Sequence, residues 1–203
     1  MKLITINENE IRENIYIYYD EVSKEGVVID PGYNKEEIME EINHNGIKIV
    51  GILITHGHFD HIGEANAIKE YTKANIFCHK LEEEMLISSK LNLSSRVAGV
   101  EISIEPDELL EDDSVIILGN TTLRTIHTPG HSMGGVCFYD EENGVIFAGD
   151  TLFKGTIGRT DLYGGNHDIL LKSIEKKLFT LPDDTEVHSG HGSKTTIGKE
   201  KRR

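Results

Sequence analysis

Thr55-His56-Gly57-His58-Phe59-Asp60-His61 places four side chains able to bind a metal within six positions: His56, His58, Asp60 and His61. Imidazole and carboxylate are ligands that zinc and other borderline first-row metals accept. The stretch just before it, Ile47 to Ile54, is nearly continuous in Ile, Val and Leu. Its length and β-branched content predict a strand buried on both faces. The cluster therefore begins where a strand ends, the usual place for binding residues in a sheet protein.

Three more candidates stand at the ends of strand-like segments. His131 lies in Thr128-Pro129-Gly130-His131, where Pro and Gly force a tight turn. Asp150 follows the apolar segment ending Phe147-Ala148-Gly149, and His191 follows a short strand expected at Glu186–His188. Seven ligands fit two metals. One would take His56, His58 and His131, the other Asp60, His61 and His191, with Asp150 bridging through its two oxygens. Each metal keeps an open position for water, the condition for a catalytic site. Asp60 is expected to serve catalysis as well as ligation. Two dications, two Asp and one hydroxide leave a net positive charge that favours an oxyanion.

The rest of the chain alternates in type. Strands are expected at 3–6, 14–19 and 26–29 from their Ile, Val and Tyr content. A helix follows, capped by Asn34 with Glu37 three residues on, apolar at Ile38 and Ile42 and ended by Gly46. A helix over 62–73 and a strand over 75–78 come next. Residues 80–110 are the least legible part, with a helix over Leu81–Ser89. Strands then fall at 114–118, 121–127, 135–139 and 145–148, joined by turns at 118–121 and 140–144. Asn166 caps a last helix with Leu170, Ile174 and Leu178 on one face. The order, β-rich then α then β, occurs twice and predicts two packed sheets with helices outside.

Composition narrows the function classes. The 203 residues fit one domain or two small ones, long enough for a sizeable core. Net charge is −14, which repels phosphate backbones and argues against nucleic acid. Lys199–Arg203 reads as a solvated tail. No apolar run is long enough to span a membrane. The N-terminus turns polar too early for a secretory segment, so a cytoplasmic protein is expected. Cys78 and Cys137 sit in apolar contexts and read as buried reduced thiols. The expected partner is a small-molecule substrate, neither nucleic acid nor membrane, for a monomer or small homo-oligomer.

The signature His56-Gly-His58-Phe-Asp60-His61, followed in order by His131, Asp150 and His191, resembles the metallo-β-lactamase fold family from about residue 14 to residue 198. The segments Gly149-Asp-Thr-Leu-Phe153, Gly158-Arg-Thr-Asp161 and Thr195-Thr-Ile-Gly198 are similar to the small glyoxalase II-like (hydroxyacylglutathione hydrolase-like) hydrolases. The resemblance implies an α/β protein, an αββα four-layer sandwich, as a single domain over residues 1–203. It implies a metal-dependent thioesterase using two divalent metal ions, most naturally Zn2+ with Fe or Mn as alternatives. Its nucleophile would be metal-bound hydroxide, formed from water whose pKa is lowered to about 7. A leaving thiol, with a reference pKa of about 8.5, departs as thiolate without a dedicated acid. An amine leaving group needs a proton, which makes a β-lactam less natural. Glyoxalase II enzymes carry a helical extension that helps hold glutathione, whereas only twelve residues follow His191 here.

The resemblance also implies that Asp30, in Ile29-Asp-Pro-Gly32, supports the metal loop, and that Arg159 and Tyr163 contact substrate. His127 is expected to support the His131 turn. His44 reads as solvated, and His79, His167 and His188 as structural. A competing expectation is a mononuclear iron oxidoreductase. Persulfide dioxygenases resemble this fold and could use His56, His131 and Asp150. Those enzymes tend to place His-Asp-Tyr at the last motif, where this chain has His191-Gly-Ser193. Lactone or ester hydrolysis is a further alternative. A nuclease would need a basic groove and clamp, and neither is visible. A non-catalytic binding protein would tolerate lost ligands, and none is lost.

Overall fold

Side chains alternate across a strand with period two, and β2 (Ile15–Tyr19) uses that alternation to face two cores at once. Ile15, Ile17 and Tyr19 enter one apolar cluster, Tyr16 and Tyr18 another. The computed structural model describes residues 1–7 and 12–202. In it, β1 (Lys2–Ile6), β2, β3 (Glu25–Ile29), β4 (Lys48–Leu53), β5 (Ile76–His79) and β6 (Glu108–Leu110) form one sheet in sequence order. The first two pairings are antiparallel and the last three parallel. The helix α1 (Lys35–Asn45) crosses between β3 and β4. The short α2 (Phe59–Ile62) and α3 (Ala65–Thr72) cross between β4 and β5.

Between β5 and β6 lies α4 (Glu83–Ile87). The second sheet has the order β14-β13-β10-β9-β8-β7. It contains β7 (Val115–Leu118), β8 (Thr121–His127), β9 (Val136–Asp140) and β10 (Val145–Gly149). A small ribbon of β11 (Leu152–Phe153) and β12 (Thr156–Ile157) leads to α5 (His167–Lys176). After it come β13 (Glu186–Ser189), β14 (Thr195–Thr196) and α6 (Ile197–Lys201). β13 pairs parallel with β10, which α5 makes possible by crossing outside the sheet.

Three apolar layers result. The first packs the outer face of one sheet against Ile38, Ile42, Ile62 and Ile68 of the helices. The second fills the space between the sheets with Tyr16, Tyr18, Leu53, Phe138 and Phe147. The third joins Cys137, Tyr139 and Ile146 to Leu170, Ile174 and Leu178. That is the expected αββα sandwich. Cys78 and Cys137 are free and buried, and burial pushes their thiols up to about 12 and about 11. No helix among the described residues is long and apolar enough to cross a membrane.

Several elements differ from expectation for local reasons. The helix expected over 62–73 is broken into α2 and α3, because the Glu64 amide donates to Pro31 rather than into a helix (2.8 Å). Asn34 does not cap α1 with its side chain. It sits at φ 56°, and its amide donates to Glu37 instead (3.3 Å). The helix near residue 85 covers only Glu83–Ile87. β6 adds an edge strand that sequence reading missed. The basic side chains of the C-terminal run, Lys199, Lys201 and Arg202, are exposed as expected, while Ile197 just before them enters the third core layer. Buried Glu200 accepts from Thr195 Oγ1 (2.5 Å) and the Gly155 amide (2.8 Å). Arg203 lies outside the described residues.

Candidate metal centre

The segments after β4, β8, β10 and β13 bring all seven predicted ligands together. His56, His58 and His131 form one group whose ligand atoms lie within 4.8 Å of one another. Asp60, His61 and His191 form a second such group. Asp150 lies between them. Its Oδ2 is 3.7 Å from His131 Nε2, and its Oδ1 is 3.5 Å from His61 Nε2 and 3.8 Å from His191 Nε2. One carboxylate thus faces both groups with different oxygens. Asp60 Oδ2 is 3.4 Å from His191 Nε2 and 3.9 Å from His61 Nε2.

Hydrogen bonds behind the rings orient their lone pairs. His131 Nδ1 is 2.8 Å from the Arg159 carbonyl, which can only accept, so Nδ1 carries the proton and Nε2 is left with its lone pair. His61 Nδ1 donates to Asp30 Oδ2 (2.9 Å) in the same way. The Thr55 hydroxyl donates to Asp30 Oδ2 (2.5 Å), which leaves its oxygen to accept from His56 Nδ1 (3.1 Å). The Thr55 amide completes the set by donating to Asp30 Oδ1 (2.7 Å). Asp30 therefore sets two histidines, one directly and one through Thr55. A grouping of Asp30 with His56 and His61 also satisfies the distance limit. Both Asp30 oxygens already accept hydrogen bonds from these donors, an arrangement that suits a supporting role.

The residues fit a metal. His56 Nε2, His61 Nε2 and Asp150 Oδ1 are buried without a hydrogen-bond partner, although buried polar atoms are normally satisfied. His58 Nδ1 and His131 Nε2 stand 3.0 Å apart. That is near the edge of roughly 3.3 Å expected when two nitrogens share a tetrahedral cation at about 2.0–2.1 Å.

Protonation favours ligation in the first group. Burial, reinforced by the neighbouring histidines, pushes His56 well below the usual imidazole range and His58 down to about 3. Burial also lowers His131 against the pull of Asp150. All three are held as neutral imidazole, the form that binds metal. In the second group burial is overcome by charge. Asp60 drops below the usual carboxylate range beside His61 and His191, while His61 is raised by Asp150, Asp60 and Asp30.

The other predicted residues are placed as follows. Arg159 points its guanidinium at Asp161 in a fork (2.8 and 2.8 Å) and reaches the centre through its carbonyl on His131. Tyr163 donates to Glu84 (3.0 Å). His127 has Nε2 3.0 Å from the Met133 carbonyl and stacks on His79 with centroids 4.0 Å apart, so it braces the turn after His131. His188 is buried against Tyr16 and Phe147 and lies 3.4 Å from Glu186. His44 and His167 are exposed.

Two buried acids beside the ligand loops escaped sequence reading. Glu13 is fully buried, and its backbone bridges to His191. Burial raises its carboxyl well above the usual range. Glu82 is buried between the loops that carry His56 and His131. Nothing in the local pattern marks either: Glu82 opens an acidic run that looks solvated.

Residues 10–191 match the model of the metallo-beta-lactamase superfamily. The chain belongs to that superfamily. It is 41% identical over 172 residues to the probable metallo-hydrolase YqgX of Bacillus subtilis, covering 84% of this chain and 82% of that protein. It is 34% identical over 204 residues to the hydroxyacylglutathione hydrolase GloC of Haemophilus influenzae, covering 100% and 96%. Among solved structures it is similar to the BLEG-1 B3 metallo-beta-lactamase, with 39% identity, a TM-score of 0.94 and coverage of 100% and 97%. TTHA1623 in a di-iron-bound form gives 34% identity, a TM-score of 0.85 and coverage of 100% and 98%. As a superfamily member with two His/Asp groups and orphaned buried donors, the chain has the makings of a metallo-hydrolase.

Proposed function

We propose that this protein is a thioester hydrolase of the glyoxalase II kind, working with two divalent metal ions, zinc first, in the cytoplasm. The observation that carries the reading is the position of Asp150, whose two oxygens face two separate ligand groups. Likeness to GloC supports the substrate class, and the di-iron form of TTHA1623 supports two metals while widening the choice to iron. When bound, the ions supply Lewis-acid polarisation of a carbonyl and a water acidified to about neutral pKa.

The chain's own residues supply orientation and charge. Asp30 and the Arg159 carbonyl hold the imidazoles in the tautomer that faces inward. Asp60 belongs to one ligand group and Asp150 lies between the two, and with two dications bound these two carboxylates would leave the site able to accept one further anion. Water supplies an oxygen to the thioester carbonyl carbon, whose bond to sulfur breaks, and the protons of that water pass to solvent as the carboxylate forms. The sulfur leaves as thiolate, given a reference pKa of about 8.5. No side chain need protonate it. Arg159 and Tyr163 lie on the loop that follows Asp150, and we assign them to substrate contact. The partner is then a small anionic thioester, with neither nucleic acid nor membrane required, for a monomer or small homo-oligomer.

A second reading has its own support. Likeness to BLEG-1 favours lactam hydrolysis, which requires a proton for the departing amine. The deciding experiment is a panel of thioesters, lactones, a β-lactam and a persulfide, run beside elemental analysis. Two metals per chain with thioester turnover at least a hundredfold above the other substrates is the expected result. Preference for the β-lactam, or one iron with oxygen uptake on the persulfide, would overturn it. Replacing Arg159 with Ala should raise KM for an anionic thioester more than it lowers kcat; unchanged kinetics would make Arg159 scaffold only.

A further inference from the structure

Glu82 is one of three consecutive glutamates, and its two neighbours behave as surface residues while it does not. Its side chain is buried at the start of α4. Oε1 accepts from the Gly57 amide (2.9 Å), and Oε2 accepts from the Gly134 amide (2.7 Å) and the Ser132 hydroxyl (3.0 Å). Gly57 stands between His56 and His58, and Ser132 directly follows His131. One carboxylate therefore ties together the two loops that carry the three histidines of one metal group.

The approach is close on both sides. A Cβ at Gly134 would lie 2.7 Å from Glu82 Oε2, and one at Gly57 would lie 2.8 Å from Leu86 of the same helix. These two loops come from different sheets, β4 in one and β8 in the other. Among the ligands they carry, only His58 and His131 meet at hydrogen-bond distance, and the nitrogens that meet are metal-binding atoms. The Val136 amide also donates to the Thr55 carbonyl at the base of the two loops (2.9 Å), and Glu82 adds a side-chain link nearer the ligands that uses no ligand atom.

We propose that Glu82 is a positioning residue that sets the spacing of His56 and His58 against His131, and so the affinity of that one metal site. The second site, built on Asp60, His61 and His191, does not depend on it. The inference rests on the metal centre of the proposed function and not on its substrate. A partner that fixes ligand geometry typically contributes 10–100-fold to metal affinity. A buried carboxylate that merely filled the core would leave that affinity unchanged.

The test is zinc binding by chelator competition on purified protein, with Glu82→Ala and Glu82→Gln. Glu82→Ala should weaken one of two zinc sites about 10–100-fold and leave the other unchanged. Glu82→Gln keeps the volume but presents an amide NH2 to one N–H donor. It should weaken the same site less and still fold if the alanine variant does not. In a His58→Ala background, adding Glu82→Ala should not alter the remaining zinc. In a His191→Ala background, it should weaken the remaining zinc. A cobalt(II) spectrum that changes with Glu82→Gln would report the same distortion directly. Wild-type affinity at both sites in both variants, whatever the change in melting temperature, would overturn the proposal. Zinc-free wild-type protein after loading would overturn it together with the metal centre. Normal zinc behaviour with no thioester turnover would overturn the substrate reading alone.

Discussion

Asp30 stands at φ 50°, a left-handed conformation that Asp tolerates better than most residues, and the turn aims its carboxylate under the ligands. Asp30→Ala would strand three donors: the Thr55 amide, the Thr55 hydroxyl and His61 Nδ1. We expect metal affinity to fall roughly 10–100-fold and stability by about 1–3 kcal/mol, measured by chelator competition and urea unfolding. Gly190 matters for space. A Cβ there would lie 2.4 Å from Asp150 Oδ1 and 2.6 Å from His61 Cε1. Gly190→Ala should therefore reduce metal content and turnover together. A variant with wild-type metal content would show that the loop relaxes freely. That these seven candidate ligands come together could be read from sequence because each ends a strand-like segment and four share one loop. Glu13 and Glu82 could not, because a glutamate's burial depends on chain segments far away in sequence. Arg159 shows a different limit: its carbonyl holds His131, and a carbonyl has no residue type to read.

At the scale of elements, α5 is a helix whose side-chain cap, Asn166, was read correctly from sequence. The Asn166 side chain accepts from the Ile169 amide (3.1 Å), and the Asn166 amide donates to Gly130 (2.8 Å) in the His131 turn. Gly130 has φ 129°, and a Cβ there would meet the Leu170 backbone at 2.3 Å. Asn166→Ala should cost about 1 kcal/mol in chemical denaturation, the usual worth of such a cap. Its kcat should change less than twofold, since the backbone bond to Gly130 remains. A large loss of kcat would mean that the cap side chain orders the turn. Strands of alternating or continuous apolar character were legible because periodicity is local. The break between α2 and α3 was not, because the Pro31 carbonyl that takes the Glu64 amide comes from another strand's end. β6 and the docking of α6 escaped for the same reason: short polar-rich segments are made regular by what they pack against.

For the molecule as a whole, net charge and buried acids set the response to metal and pH. Glu13 sits within reach of the charges of Asp30, Asp60 and Asp150, four of the acids that give the chain its net −14. Chelating the metals should lower the melting temperature, and zinc should restore it in proportion to the logarithm of free zinc. No shift on chelation would mean that the folded state binds no metal. In zinc-free protein Glu82 has a further effect. Burial raises its carboxyl from the usual 4.5 to about 7, against the pull of its three hydrogen bonds. A raised folded-state value means that the stabilisation is full below pH 4.5 and lost as pH rises through 7. Wild type should thus lose on the order of 3 kcal/mol relative to Glu82→Gln across that range. Parallel pH profiles would show that the hydrogen bonds outweigh burial.

The chain order of strands and helices, the layered class and the choice of candidate ligands follow from local pattern and residue chemistry, which are written along the sequence. Tertiary structure alone decides that Asp150 faces both ligand groups, that Asp30 reaches two histidines and that Glu82 joins loops from opposite sheets. These are relations between segments distant in sequence. Their distances exist only once the two sheets have buried their shared face.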